Sequence, residues 1–358
     1  MVGKLGLVGG VGVAWLLTFV LMGGDVLPAL SGPSSQPNGA GKALVAETNP
    51  STTTPSSTPS PTATATTSAP PSKPSKVALS AEALASSVPV GGPTLEARPM
   101  ARRSAPPTLS FRLATYNILG SSHTGGGAKS GPARASRGTQ YVLDHGFSVV
   151  GFQEMQSNQR STFLNKVNNT WGLLPGGSQR SGDGDNSIAW RKDTWQLVKA
   201  DSVSIPYFSG KPRNIPVLLL RHKQTGIEAW FTNFHNPADK FGNAQKWRNI
   251  AKQRQVALFN DLAKTGRPIF VTGDMNERRS WACDIVTGSD MKAAAGGDGR
   301  NGCSVQTNRV VDWIAGSYDV EFSNYYEDRG PVVDYLTDHP IIGVDVKIDS
   351  RDFPRAVQ

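Results

Sequence analysis

Six short polar clusters, each closing an apolar, strand-like run, supply the chemistry available to this chain. Pro268-Ile-Phe-Val-Thr-Gly273 breaks into Asp274-Met275-Asn276, an acid and an amide two positions apart. On an extended backbone residues i and i+2 face one side, so this spacing predicts a carboxylate and an amide in one small space. The other clusters are Asn117 in Leu113-Ala114-Thr115-Tyr116-Asn117, Glu154 in Val149-Val150-Gly151-Phe152-Gln153-Glu154, and His235-Asn236 after Trp230 to Phe234. Asp312 in Arg309-Val310-Val311-Asp312 and the pair Asp338-His339 complete the set. Singly, each has an ordinary explanation: turn chemistry for Asp274 and Asn276, a strand-end charge for Glu154, a core histidine for His235. Together they hold what phosphate-ester hydrolysis requires: a cation on the phosphate oxygens, a positioned water, a base, and an acid for the leaving oxygen. Asp, Glu and Asn are hard oxygen donors suited to Mg²⁺, Mn²⁺ or Ca²⁺. Of the five histidines, only His235 and His339 adjoin these clusters, and neither has a partner at the spacing of a helical zinc motif. Zinc is not expected.

In this order the clusters resemble the endonuclease/exonuclease/phosphatase superfamily, which includes secreted deoxyribonucleases, abasic-site endonucleases, sphingomyelinases and inositol-polyphosphate phosphatases. The resemblance covers roughly residues 109–348. It implies a four-layered α/β/β/α sandwich of class α/β, with two mixed, mostly antiparallel sheets and the polar residues gathered where the sheets open. It also implies roles. Glu154 binds the metal with Asn117 beside it, and Asp338 adds to the metal site. Asp274 and Asn276 orient the attacking water, while His339, oriented by Asp312, is a general base or a phosphate contact. Asp274 and His339 compete for the duty of base, and sharing it is the expectation. His235 resembles a second histidine of the deoxyribonuclease and sphingomyelinase branches that abasic-site endonucleases lack. Arg213 resembles a phosphate-contacting arginine of secreted deoxyribonucleases, since arginine forks suit phosphate oxygens. Arg278, Arg279 and Trp281 directly follow the acid–amide turn and are expected along the substrate groove.

The elements that must position these residues follow from apolar patterning. Strands are expected near 110–118, 148–153, 187–191, 195–204, 215–222, 227–235, 268–273, 309–315, 319–325 and 341–348, and helices at 133–145, 157–168 and 243–264. In the last helix Trp247, Ile250, Ala251, Arg254, Leu258 and Leu262 recur at helical spacing, which puts Lys246, Lys252 and Gln253 on a solvated face. Many strands in hairpin-like succession with few helices between them fit two sheets packed face to face. No internal repeat of fixed period is visible.

Of the 358 residues, the first hundred or so carry no globular pattern. Residues 5–22 are apolar behind Lys4, a stretch long for a signal peptide that just reaches the lower limit for a membrane span. Residues 1–31 are therefore a signal peptide or an N-terminal membrane anchor in contact with the bilayer. Either way the remainder is exported, secreted or held at the outer face. Residues 32–108, rich in Pro, Ser, Thr and Ala, read as a disordered linker unable to offset its ordering entropy, and 109–350 as the catalytic domain. In an exported protein Cys283 and Cys303 are most simply a disulfide, worth about 3 kcal/mol by loop entropy. Secreted deoxyribonucleases of the superfamily carry a comparable bridge.

Net charge is +9. Residues 1–108 hold seven Lys/Arg and four Asp/Glu, leaving +6 on the rest, a balance that favours a polyanionic or anionic-surface partner. The leading expectation is an exported, Mg²⁺-dependent nuclease acting on DNA or RNA as a monomer. Two alternatives stand beside it: a phospholipid or phosphoinositide phosphoesterase, and a non-catalytic surface-binding module. A lipid enzyme needs apolar residues at the cleft rim, for which Pro206-Tyr207-Phe208-Ser209-Gly210 is the available segment. A nuclease needs the arginines.

Overall fold

Period-two alternation assigns each strand a face to either side of its sheet, and this builds most of the molecule. A computed structural model describes residues 105–175 and 182–357; the expected leader and all but the end of the linker lie outside them. The described chain runs β1 (Thr108–Asn117), α1 (Gly131–Asp144), β2 (Val149–Gln153), α2 (Ser157–Lys166), β3 (Trp171–Leu174), β4 (Ser187–Arg191), β5 (Trp195–Pro206) and β6 (Pro212–His222). It continues through β7 (Glu228–His235), α3 (Gln245–Ala263), β8 (Ile269–Asp274), α4 (Arg279–Gly288), β9 (Met291–Ala293), β10 (Asp312–Ser317), β11 (Glu321–Asp328), α5 (Pro331–Leu336) and β12 (Ile341–Asp349). Among these residues no helix is long and apolar enough to cross a membrane.

The strands form two six-stranded sheets, β11-β12-β1-β2-β4-β3 and β5-β6-β7-β8-β10-β9. Each has a single parallel pair at its centre, β1–β2 in one and β7–β8 in the other, with antiparallel neighbours outside. The expected mixed, mostly antiparallel architecture is present. In β1, Leu109, Phe111 and Leu113 face the opposing sheet, where Phe111 meets the rings of Trp195, Phe231 and Phe270 edge-on. Ala114 and Tyr116 face the other way, into a second apolar layer with Val142, Phe163 and Leu336 from α1, α2 and α5. A third layer joins Val217, Trp230 and Val271 to Phe259 and Leu262 of α3 and to Trp281 and Ile285 of α4. Helices, sheet, sheet, helices: four layers.

Four elements escaped the pattern. β3 and β9 are too short for alternation to register, and α5 has only six residues. α4 carries Cys283 and runs into the segment between the cysteines, where no helix was expected. Its buried Trp281, Ala282, Ile285 and Val286 are a helical signal diluted by the glycines that follow. Cys283 and Cys303 are joined in a disulfide with Cα atoms 5.2 Å apart.

The buried face of α3 is rotated from the expected one. It comprises Arg248, Ala251, Lys252, Gln255, Phe259 and Leu262, while Arg254 is exposed. Lys252, assigned to solvent, is buried because Glu277 and Asp284 meet its ammonium at 2.9 and 2.7 Å. A paired cation can occupy a core-facing position that its polarity alone forbids. The domain also extends past residue 350: Phe353 and Ala356 are buried, and the Ala356 carbonyl accepts the Glu228 N–H at the start of β7.

Candidate active site

Strand register does most of the gathering. In the parallel pair β1–β2, Asn117 lies opposite Gln153, so Glu154 follows at the neighbouring strand end. In β7–β8, His235 lies opposite Asp274, and across β8–β10 Asp274 lies opposite Asp312. One residue, Asp274, therefore has a histidine on one side and an acid on the other. The two sheets meet at this end through a buried polar seam: Gln153 Nε2 donates to Asn233 Oδ1 at 2.6 Å, and Thr272 Oγ1 reaches the same oxygen at 3.1 Å. Gly151 permits the approach, since a Cβ there would lie 2.0 Å from Thr272 Oγ1. Asn117 closes the seam, its Nδ2 facing Glu154 Oε1 at 3.3 Å and Asp274 Oδ2 at 3.1 Å.

The chain turns sharply at Glu154 and two residues after Asp274. Glu154 has φ 61° and Asn276 φ 49°, left-handed values that ordinary side chains adopt only when the surroundings impose them. Glu154 Oε2 accepts the Gly120 N–H at 2.9 Å and faces His123 Nδ1 at 3.1 Å. Burial opposes its charge, but the field of His235, the Gly120 N–H, the Asn117 amide and His123 outweigh that and hold its pKa below the ordinary glutamate value. His235 is itself driven toward the neutral form by burial, so at neutral pH the Gly120 N–H and the Asn117 amide carry the effect.

His339 sits with Nδ1 3.0 and 2.9 Å from the two oxygens of buried Asp312, and its Nε2 is 3.8 Å from Asp274 Oδ2. Burial disfavours its charge, yet Asp312, then Asp274 and Asp338, push its pKa up to about 10. Asp274 moves upward as well, through burial and the Asp312 charge, against the pull of His235, His339 and the Asn276 N–H. His235 Nε2 lies 3.5 Å from Asp274 Oδ2, with its Nδ1 3.5 Å from the Tyr207 hydroxyl.

Some expectations need correction. Asn276 does not continue an extended strand beside Asp274. Its N–H caps Asp274 Oδ1 at 2.9 Å and its Nδ2 donates to the Asn236 carbonyl at 2.8 Å, tying the β8 turn to the β7 turn. Arg279 turns away onto the Val305 and Cys303 carbonyls, and Trp281 is fully buried, donating to Gln255. Arg278 is exposed at the entry to α4; its carbonyl accepts the Trp281 N–H, and its side chain has no hydrogen bond or ion pair among the described residues. Arg213 does reach the site: its guanidinium lies 3.7 Å from the centre of the Tyr207 ring. It lines a hollow of about 280 Å³ with His123, Glu154, Asp185, His235, Lys240 and exposed Asp338.

Three positions were given no role in the catalytic centre by the sequence, although Tyr207 lies in the segment expected at the cleft rim. His123 closes a single 3-10 turn after β1, and only the folded chain brings it to Glu154. Tyr207 is buried, stacking under Arg213 and touching His235. Arg134 is 1% exposed and has no carboxylate partner within ion-pair distance among the described residues. Its guanidinium instead donates to the carbonyls of Ile118, Leu119, Lys129 and Leu336, joining the turn after Asn117 to the residue two places before Asp338. The recurrence of Arg134 on the apolar stripe of α1 was the only hint available.

The family model described as Endonuclease/Exonuclease/phosphatase family matches residues 114–339. The chain belongs to this family. It is accordingly a metal-dependent hydrolase of phosphate esters. Solved structures agree in fold. A Bacteroides thetaiotaomicron endonuclease/exonuclease/phosphatase family protein is 17% identical, with TM-score 0.54 over 69% of this chain and 98% of its own. The mannosyl-6-phosphatase of Bacteroides thetaiotaomicron VPI-5482 is 18% identical, TM-score 0.52, over 66% and 99%. The human Nocturnin catalytic domain with bound sulfate is 13% identical, TM-score 0.52, over 67% and 97%. No curated protein matches the chain.

The donors fit the divalent ion that the family uses. Asp274, Asp312 and His339 place ligand-capable atoms within 4.8 Å of one another. Both Asp312 oxygens also face His339 Nδ1, at 3.0 and 2.9 Å, so the same trio is joined by hydrogen bonding. Glu154, whose pKa is held below the ordinary value, lines the same hollow as Asp185 and exposed Asp338, and these carboxylates could face a hard cation.

Proposed function

We propose that this hydrolase is an exported phosphodiesterase acting on nucleic acid with Mg²⁺. Glu154 and Asp338 would hold the ion, with Asn117 fixing Glu154. The ion would neutralise charge on the phosphate oxygens. The observation that carries the nucleic-acid reading is the hollow itself. Arg213 and Lys240 line it together with Glu154, His235 and Asp338, so cationic side chains stand beside the acids that do the chemistry. A substrate carrying phosphates on both sides of the scissile bond engages both sets.

The duty of base divides on physical grounds. His339, gripped by Asp312, stays protonated at neutral pH and meets phosphate as a cation. Asp274, raised above an ordinary aspartate and held by Asn117 and the Asn276 N–H, takes the proton from water. Neutral His235 offers a ring N–H to a phosphate or leaving oxygen. Asn276 acts on the water only through Asp274, which it positions. The Cys283–Cys303 disulfide supports export, since such bonds persist in oxidising compartments. Residues 1–31 as leader or anchor and 32–108 as a linker complete the reading, with the folded part acting as a monomer.

The test is turnover of plasmid DNA, RNA, sphingomyelin and inositol phosphates by the purified chain in Mg²⁺. Cleavage of nucleic acid is expected; turnover confined to the lipid or to inositol phosphates overturns the proposal.

A further inference from the structure

Four rings lead outward from the catalytic centre. His235 is buried and packs edge-on against Tyr207, centroids 5.6 Å apart; Tyr207 packs on Phe208 at 4.3 Å, and Phe208 meets Phe241 edge-on at 4.9 Å. The series ends on a ring that is 70% exposed, the most exposed of the large apolar side chains among the described residues. Cations flank it at each step: Arg213 lies over Tyr207, Lys240 is 5.9 Å from the Phe241 ring, and Lys211 lines the adjoining hollow of about 480 Å³ with Phe208, Arg213 and Phe241.

The loop that presents Phe241 is braced. Asp239 accepts the Ala244 N–H at 2.8 Å and Arg248 Nη1 at 2.9 Å, and that same nitrogen donates to the Pro237 carbonyl at 3.0 Å. Phe208 sits at the tip of the β5–β6 hairpin, where Ser209 and Gly210 take left-handed φ values of 55° and 75° to make the turn. Two separate loops thus hold two rings against each other at the cleft mouth, one ring face left open to solvent.

We propose that Phe208 and Phe241 form a stacking shelf for a nucleobase next to the scissile phosphate, so that the enzyme favours single-stranded over duplex substrate. This rests on the nuclease reading above. Aromatic faces interleaved with cations are how proteins hold single strands: the rings take bases and the cations take phosphates. In a duplex, base faces are covered by their neighbours and cannot reach such a shelf without unstacking. Membrane insertion is the weaker use of the same residues. Phe241 alone projects strongly, and one buried phenyl ring supplies less than a fourteen-carbon acyl chain, which by itself binds bilayers only marginally.

The experiment measures kcat/KM of the full chain and of Phe241→Ala and Phe241→Trp in Mg²⁺. The substrates are a single-stranded oligonucleotide, its duplex, and the same strand carrying abasic positions. Phe241→Ala should lower the preference for the base-bearing over the abasic strand roughly 5- to 150-fold, equivalent to about 1–3 kcal/mol of stacking, mainly through KM. Phe241→Trp should restore it. An unchanged preference overturns the shelf while the nuclease reading stands; wild-type enzyme that cleaves none of the three overturns both. Co-sedimentation with anionic phospholipid vesicles that falls on Phe241→Ala, alongside an unchanged strand preference, assigns the rings to a membrane and also overturns the shelf.

Discussion

Replacing Asp312 by Asn keeps the side chain's shape and removes its charge, which isolates what that carboxylate does to His339. Both Asp312 oxygens lie within 3.0 Å of His339 Nδ1, and the histidine titrates at about 10 against an ordinary 6.5. At pH 7.5 a group with a pKa of about 10 is protonated in nearly every molecule; one at about 6.5 is protonated in about a tenth of them. Loss of the carboxylate should therefore cut the fraction of imidazolium about tenfold at that pH, and burial, which opposes the charge, deepens the loss. If His339 acts as a cation on phosphate, the alkaline limb of kcat/KM moves down by more than one pH unit in Asp312→Asn, and much of the lost rate returns at pH 5.5. A further loss, independent of pH, reports the ring orientation that Asp312 imposes. Stability follows the same sign. Below pH about 6.5 the histidine is charged folded or unfolded and the pairing counts in full. As pH rises toward about 10 the unfolded chain has shed that proton while the folded one has kept it, and the contribution is lost. Urea denaturation of the two proteins from pH 6 to 10 should show their stabilities converging. A pH–rate profile with the same alkaline limb in both would refute the assignment.

Two further substitutions test other parts of the site. Glu154→Gln should leave the melting temperature close to that of the parent, because Glu154 is partly exposed at a turn, and should abolish hydrolysis together with Mg²⁺ binding by calorimetry; EDTA should inactivate the parent reversibly. Tight Mg²⁺ binding by the variant would remove Glu154 from the metal site. Arg134→Met should destabilise the fold by on the order of 3 kcal/mol, since several buried carbonyls lose charged donors. It should also lower kcat more than it raises KM, because the Asp338–His339 loop loses its tie to the Asn117 turn. Unchanged kcat in a folded variant would limit Arg134 to stability.

Much of the fold was legible in the chain because it is written locally. Strands such as β1 and β12 announce themselves by alternation, β7 by an apolar run and α3 by its helical period, because those signals need only neighbours in sequence. What failed did so for a reason outside local sequence. Lys252 looked like a solvated cation until Glu277 and Asp284 came to meet it from another segment. Asn276 looked extended until a left-handed turn sent its amide to Asn236. Arg278 and Arg279 looked like groove residues by proximity to Asp274, yet Arg279 is bound to carbonyls of the disulfide loop. The shared plan of the two sheets left no repeat in the sequence, since different residues satisfy the same pairing pattern.

The amino-acid order alone identified side chains suited to bind a hard cation and activate water and set most of them at strand ends, although Asp312 opens β10 and Asp338 and His339 lie between α5 and β12. It did so because residue type fixes donor chemistry and apolar runs fix strand ends. Only the tertiary structure decided which of those ends meet. The parallel pairs β1–β2 and β7–β8 bring Glu154 and Asp274 within reach of one Asn117 amide, and the fold surrounds His339 with the carboxylates that keep its proton. Burial and charge–charge interaction depend on distances through space, and residues 117, 154, 274 and 339 share those distances only once both sheets have packed.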